Sequence, residues 1–160
     1  MIYDLEVINA IKDGMVNKQL TLSVAESVTA GHLQAAFSAA DEASRFFQGG
    51  LTAYNAGQKC RHLNVEPIYA LQNDCVSGEV SCQMALEVNK LFISDYGIGI
   101  TGYATKVPET GINDLFAFFA IASRGKILTV KKIRSEKEAS VEVQLDYTTQ
   151  VLLALRELIQ

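Results

Sequence analysis

Ser27, Tyr54 and Lys59 are the side chains whose types could together carry acyl-transfer chemistry. A serine hydroxyl is a weak nucleophile until a base takes its proton. A lysine can be that base once burial lowers its pKa, and a tyrosine can relay or donate a proton. Ser27 lies in "VAESVTAGH", Val24–His32, where an apolar run gives way to Glu26, Ser27, Thr29 and Gly31 before a helical pattern begins. A serine at a strand-to-helix exit sits near unpaired backbone N–H groups and the positive end of a helix dipole. Those donors stabilise an oxyanion if they aim at it. The same position suits an ordinary helix cap, and Ser27 or Thr29 could fill that role. Lys59 could equally be a solvated helix residue, Tyr54 a residue packed in the sheet, and Glu26 a general acid, an orienting group or a structural carboxylate.

Other chemistries find less support. Cys60, Cys75 and Cys82 make an odd set with no CxxC, as expected of reduced thiols without an adjacent base. His32 and His62 are the only histidines, and there is no HExxH, so no metal site is expected. "GGLTAYNAG" lacks the spacing and the preceding strand of a dinucleotide loop. The formal charge, 14 − 18 = −4, gives no basic groove for nucleic acid. No apolar run is long enough to span a membrane, and the first residues do not resemble a signal peptide. A soluble, cytoplasmic protein is expected.

The elements that must position these residues follow from periodicity. The 160 residues suggest one domain, 1–160. Ile2, Leu5, Ile8, Ile11 and Met15 recur at helical spacing, ending near Asn17. Strands are expected near Leu20–Ala25, over Gly49–Asn55 and over "DYGIGITGYA". Helices are expected over Thr29–Ala40, over "AGQKCRHLNV", for a turn from Pro67, and from Ser77, which is placed to cap it. "LFAFFAIAS" reads as a strand buried on both faces, and "KILTVKKIR" as an edge strand joined to it by "RGK", hence an antiparallel hairpin. Val141, Leu145, Thr149, Leu152 and Leu155 mark a long final helix. Alternating strands and helices specify an α/β fold: a three-layer α/β/α domain with a mixed sheet and helices on both faces. Ligands of such sheets gather at the carboxyl ends of the strands, where "AESVTAG", "YNAGQK" and "TGYATKVPE" converge.

Taken in order, these stretches resemble the CinA carboxy-terminal domain family, whose active members are nicotinamide mononucleotide deamidases. "TLSVAESVTAG" is similar to the family's "LATAESCTGG", and "FFQGGLTAYNAGQKCRHLNV" to "FLGGVVAYSNEAKIRLLGV". "CVSGEVSCQMA" is similar to "AVSEEVARAMA", and "DYGIGITGYA" to "DYGLAVTGIAG". The resemblance implies Ser27 as nucleophile, with Lys59, alone or through Tyr54, as proton acceptor. It implies Glu26, Thr29, Ala30, Gly31, Asn55, Thr101 and Gly102 as substrate-binding positions. It implies a small-molecule nucleotide substrate, ammonia as a product, no metal or cofactor, and self-association.

Three departures stand against that pattern. Ala30 replaces the first glycine of "TGG". The family's "TGIAGPGGG" becomes "TGYATKVPE", Thr101–Glu109, with the loss of glycines that let backbone approach a ligand. The "GDRxxVR" motif becomes "EKEASVE", Glu136–Glu142, without either arginine. Lys106, Lys131, Lys132 and Arg134 are candidate replacements, although a lysine is not a bidentate phosphate fork. Two functions are therefore expected as alternatives: an amidohydrolase, or an inactive or substrate-shifted relative that binds a nucleotide or a partner.

Overall fold

The structure is a computed structural model that describes residues 1–160. Helix α1 (Leu5–Asn17) is followed by strand β1 (Leu22–Glu26), α2 (His32–Ser38), β2 (Phe47–Thr52), α3 (Ala56–Leu63), α4 (Pro67–Leu71) and α5 (Gly78–Leu91). Strands β3 (Tyr96–Gly102), β4 (Phe116–Ser123) and β5 (Lys126–Arg134) then precede α6 (Ser140–Ile159). The strands lie in the order β2-β1-β3-β4-β5. β1 pairs in parallel with both β2 and β3, while β3–β4 and β4–β5 are antiparallel. The sheet is mixed, as expected, and the "RGK" hairpin forms.

Boundaries shift for local reasons. Ile2 lies outside α1 because Asp4 caps the helix, its carboxylate accepting from the Glu6 and Val7 amides. β2 begins at Phe47 and ends at Thr52, short of Asn55, which is committed to capping α3. Ser77 caps α5 as expected, accepting from Val80 N at 3.2 Å. α2 starts at His32 rather than Thr29, because Ala30 and Gly31 take left-handed φ values of 49° and 104°. β4 is buried apart from Phe116, Phe118 and Ser123, which are half-buried.

Two apolar layers enclose the sheet. α1, α2 and α6 bury Ile8, Ile11, Phe37, Tyr147, Val151 and Leu155 against one face. The other face carries a smaller cluster in which Leu63, Val80, Met84 and Val88 of α3 and α5 meet Ala25 of β1. α5 comes close to β3 because Gly97 and Gly99 present no side chain. A Cβ on Gly99 would stand 2.4 Å from the Ser81 carbonyl oxygen and 2.5 Å from the Ala85 nitrogen. The helix backbone cannot rotate away as a side chain can, so the contact must open. Gly99→Ala is expected to cost about 1–3 kcal/mol, a fall in Tm of roughly 2–4 °C per kcal/mol. Gly57→Ala, whose new methyl would meet nothing closer than Asn55 Oδ1 at 3.6 Å, is expected to stabilise α3 by about 0.5–1 kcal/mol. Thermal unfolding of the two variants checks both signs.

Candidate active site

The parallel part of the sheet reverses its winding direction at β1, so a crevice opens at the carboxyl ends of β1 and β3. Ser27 follows β1 directly, and its amide donates to the Ile100 carbonyl of β3 at 3.1 Å. Lys59 reaches the same place from the middle of α3, whose first turn is capped by Asn55 accepting from Gln58 N at 3.0 Å. Lys59 Nζ donates to Ser27 Oγ at 2.9 Å. Both residues are buried, at 5% and 3% exposure. The second acceptor of Nζ is the Tyr54 carbonyl at 3.4 Å, and no carboxylate lies within ion-pair distance.

Burial therefore acts on an ammonium with little compensation. It pushes Lys59 below the usual lysine range, opposed by Cys75 and Asp74. The Cys75 thiol is itself pushed up by burial. At neutral pH the Asp74 carboxylate is thus the more effective opposing charge. An amine biased towards its neutral form, bonded to a serine hydroxyl, is a base–nucleophile pair.

Of its three readings, Glu26 takes the structural one. Its fully buried carboxylate accepts four hydrogen bonds: Thr29 Oγ1 at 2.6 Å, Leu33 N at 2.8 Å, Gln34 N at 2.9 Å and Gln34 Nε2 at 3.0 Å. Glu26 thus satisfies the free amides at the start of α2. Neither Ser27 nor Thr29 caps that helix, and the formal cap residue, Gly31, has no side chain to do so. Relieved of capping, the Ser27 hydroxyl is available to Lys59.

Ser27, Tyr54, Asn55, Lys59, Thr101 and Gly102 line one cleft of about 380 Å³. Glu26, Thr29, Ala30 and Gly31 do not line it, which corrects the expectation that they bind substrate. Glu26 and Thr29 are turned into the α2 contact, and Ala30 is exposed, so its methyl group adds nothing to the cleft wall. Tyr54 lines the cleft, is 68% exposed rather than packed in the sheet, and offers Lys59 its carbonyl. Thr101 is buried, and its hydroxyl donates to the Cys75 carbonyl at 2.7 Å. That bond ties the end of β3 to the segment Asn73–Cys75, three consecutive residues at left-handed φ of 53°, 54° and 62°. This segment brings Asp74 to the cleft, a position the sequence reading missed. "NDC" carried a signal, since Asn and Asp tolerate left-handed backbone. Tyr103, Ala104, Thr105 and Val107 of the rebuilt 101–109 loop form a wall of the cleft and leave it open. Lys106, Lys131, Lys132 and Arg134 do not line it, and Lys132 Nζ lies 4.3 Å over the Phe116 ring.

The CinA C-terminal domain family matches residues 4–159. A curated relative in Natranaerobius thermophilus is 37% identical over 120 residues, 75% of this chain and 28% of its own length. A CinA-like protein of Picosynechococcus is 42% identical over 94 residues, 59% of this chain and 22% of its own. The chain thus spans about a quarter of the length of these two relatives. Protein MG115 of Mycoplasma genitalium is 30% identical over 146 residues, covering 90% of this chain and 91% of that one. Among solved structures, a CinA superfamily protein from Enterobacter cloacae superposes with a TM-score of 0.91 at 24% identity, covering 98% of this chain and 92% of that one. The fold similarity extends to the competence/damage inducible protein CihA of Agrobacterium tumefaciens, with a TM-score of 0.88 at 22% identity, over 97% and 94% of the two chains.

Because Lys59 is held below its ordinary pKa, folding is disfavoured wherever the unfolded chain carries the proton and the folded one resists it. The deficit is full below the folded pKa and disappears as pH rises to the ordinary lysine value of 10.5. Lys59→Met is expected to raise Tm near neutral pH by about 2–4 °C, the shift that ~1 kcal/mol produces in a chain of this size. The gain should shrink towards pH 10.5. Thermal unfolding across pH 7–10 checks it.

Proposed function

We propose that this chain, which belongs to the CinA C-terminal domain family, is a serine amidohydrolase acting on nicotinamide mononucleotide or a close relative of that amide. The single observation that carries this reading is the buried 2.9 Å contact between Lys59 Nζ and Ser27 Oγ at the head of a cleft.

The steps follow from the groups present. Neutral Lys59 takes the Ser27 proton as Oγ attacks the carboxamide carbon, giving a tetrahedral oxyanion. The amide of Val28, which lines the cleft beside Ser27, has no acceptor within the protein and is the donor available to that oxygen. Lys59 then gives its proton to the departing NH2 group, the C–N bond breaks, and ammonia leaves an ester on Ser27. Water attacks the ester with Lys59 again as base, releasing the carboxylic acid and restoring the serine. Every proton passes through one amine, for which a depressed pKa is suited. Asn55 fixes the helix that carries Lys59, and Thr101 and Gly102 line the same cleft as Ser27. Self-association, implied by the family resemblance, belongs to the same proposal and is read from solution mass.

Pure protein incubated with nicotinamide mononucleotide is expected to release ammonia. Ser27→Ala and Lys59→Ala should each lower kcat by at least about 10³-fold, and Tyr54→Phe should leave it within a few-fold. Because burial lowers the Lys59 pKa, the rising limb of the kcat/KM–pH profile should lie below 10.5 and move lower still in Asp74→Asn, which removes an opposing charge. Absence of ammonia from the unmodified protein would end the reading for this substrate. Activity retained in Ser27→Ala would end it for the nucleophile.

A further inference from the structure

A second cavity, of about 610 Å³, adjoins the catalytic cleft, and Val76 and Tyr103 line both. The backbone of Tyr103 is fixed on either side. Its amide donates to the Phe116 carbonyl at 2.9 Å, and its carbonyl accepts from the hydroxyl of fully buried Tyr147 at 2.8 Å. Its ring packs edge-on against Phe116, with centroids 5.4 Å apart, and Phe116 packs in the same way on Phe118 at 6.0 Å. An aromatic run thus leads from the cleft into the second cavity.

That cavity exists because the helix layer stops short of it. Phe116, Phe118, Val130 and Lys132 share one face of the β4–β5 hairpin by register. On the same face α5 sets Ala85 against Ala120 and Ala122, but the helix begins only at Gly78. A Cβ on Gly78 would stand 3.5 Å from Val130 Cγ2 and 3.8 Å from Phe118 Cδ1, so α5 reaches no further than these two side chains. Phe116 and Phe118 are left half-buried, and Val130 is 46% exposed. Large apolar groups uncovered beside a cleft are a surface for a ligand. Lys132 adds charge to it. Its Nζ stands 4.3 Å from the centre of the Phe116 ring and 5.6 Å from that of Phe118, with no carboxylate within ion-pair distance. Lys131 lines the cavity as well, against a single carboxylate, Glu79. A phosphate alone would need only the cations, and a planar base alone only the apolar floor. A nucleotide uses both.

We infer that this cavity is a second nucleotide subsite: the preferred substrate is a dinucleotide, with its amide at Ser27 and its second base and phosphate held by Phe116, Phe118 and Lys132. The inference rests on the reading of Ser27 as nucleophile. Tyr103 is the wall that the two halves of the substrate share.

Ammonia release from nicotinamide mononucleotide and from nicotinamide adenine dinucleotide tests it. The dinucleotide is expected to have the higher kcat/KM by at least about 10-fold, the yield of one charge-assisted hydrogen bond. Lys132 and Phe118 line the second cavity and not the cleft. Lys132→Met should therefore lower kcat/KM for the dinucleotide by about 10-fold, chiefly through KM, and keep that for the mononucleotide within about twofold. Phe118→Leu should act in the same direction by several-fold. A dinucleotide turned over no better than the mononucleotide would overturn the inference, as would variants that leave the dinucleotide unchanged or affect both substrates alike. If the unmodified protein hydrolyses neither, the nucleophile reading fails separately, and the subsite is decided by calorimetry with adenosine diphosphate. Binding that weakens at least about 10-fold in Lys132→Met upholds the subsite. No binding, or equal binding by the variant, removes it.

Discussion

The four hydrogen bonds accepted by the Glu26 carboxylate settle how the whole site is built. A helix that starts straight after a strand needs an acceptor for its first amides. Ser27 and Thr29 are the residue types that usually supply one. Here the last residue of β1 does it instead, from the strand side, and its negative charge suits the positive end of α2. Thr29 becomes a donor to that carboxylate rather than a cap. The Ser27 hydroxyl, left out of this arrangement, meets Lys59 on the opposite face of the sheet. A serine that capped α2 would have its oxygen committed to the helix amides and could not serve Lys59 in the same geometry.

The Lys59 side of the pair depends on burial rather than on a charged partner. A lysine on α3 would ordinarily extend into solvent. The short helices α3 and α4 and the Thr101-tethered turn at Asn73–Cys75 enclose it instead. Three successive residues at left-handed φ are expensive for side chains other than glycine, and Thr101 is one of the contacts that hold them. The same turn sets Asp74 near enough to moderate the depression of the Lys59 pKa. The site thus balances desolvation against one carboxylate, the kind of balance that places an amine's pKa in a useful range.

Much of this was legible in the sequence. The strand and helix order, the mixed sheet and the hairpin at "RGK" all followed from periodicity and turn residues. Ser77 was recognisable as a cap because its context is local. Ser27, Tyr54 and Lys59 were identified as a group, and the structure brings Ser27 and Lys59 into contact. What the sequence could not show was set by distance in the chain or by backbone conformation. Nothing in "VAESVTAGH" says that Glu26 outcompetes Thr29 for the helix amides, since that depends on where α2 begins, and Ala30 at positive φ delays it to His32. Gln144 reaches Val28 only because α6 crosses the sheet after more than a hundred residues. That the Tyr54 carbonyl, rather than its hydroxyl, is what meets Lys59 depends on how the chain turns into α3.

The central claim is that Ser27, with Lys59 as its base, carries the acyl group of the substrate. Turnover of nicotinamide mononucleotide in the presence of hydroxylamine tests it most directly, because a serine ester partitions between water and the added nucleophile. The account predicts that the corresponding hydroxamic acid forms in proportion to hydroxylamine, in the unmodified protein and not in Ser27→Ala. Ammonia released with no hydroxamate at any hydroxylamine concentration, at a rate indifferent to Ser27, would contradict it.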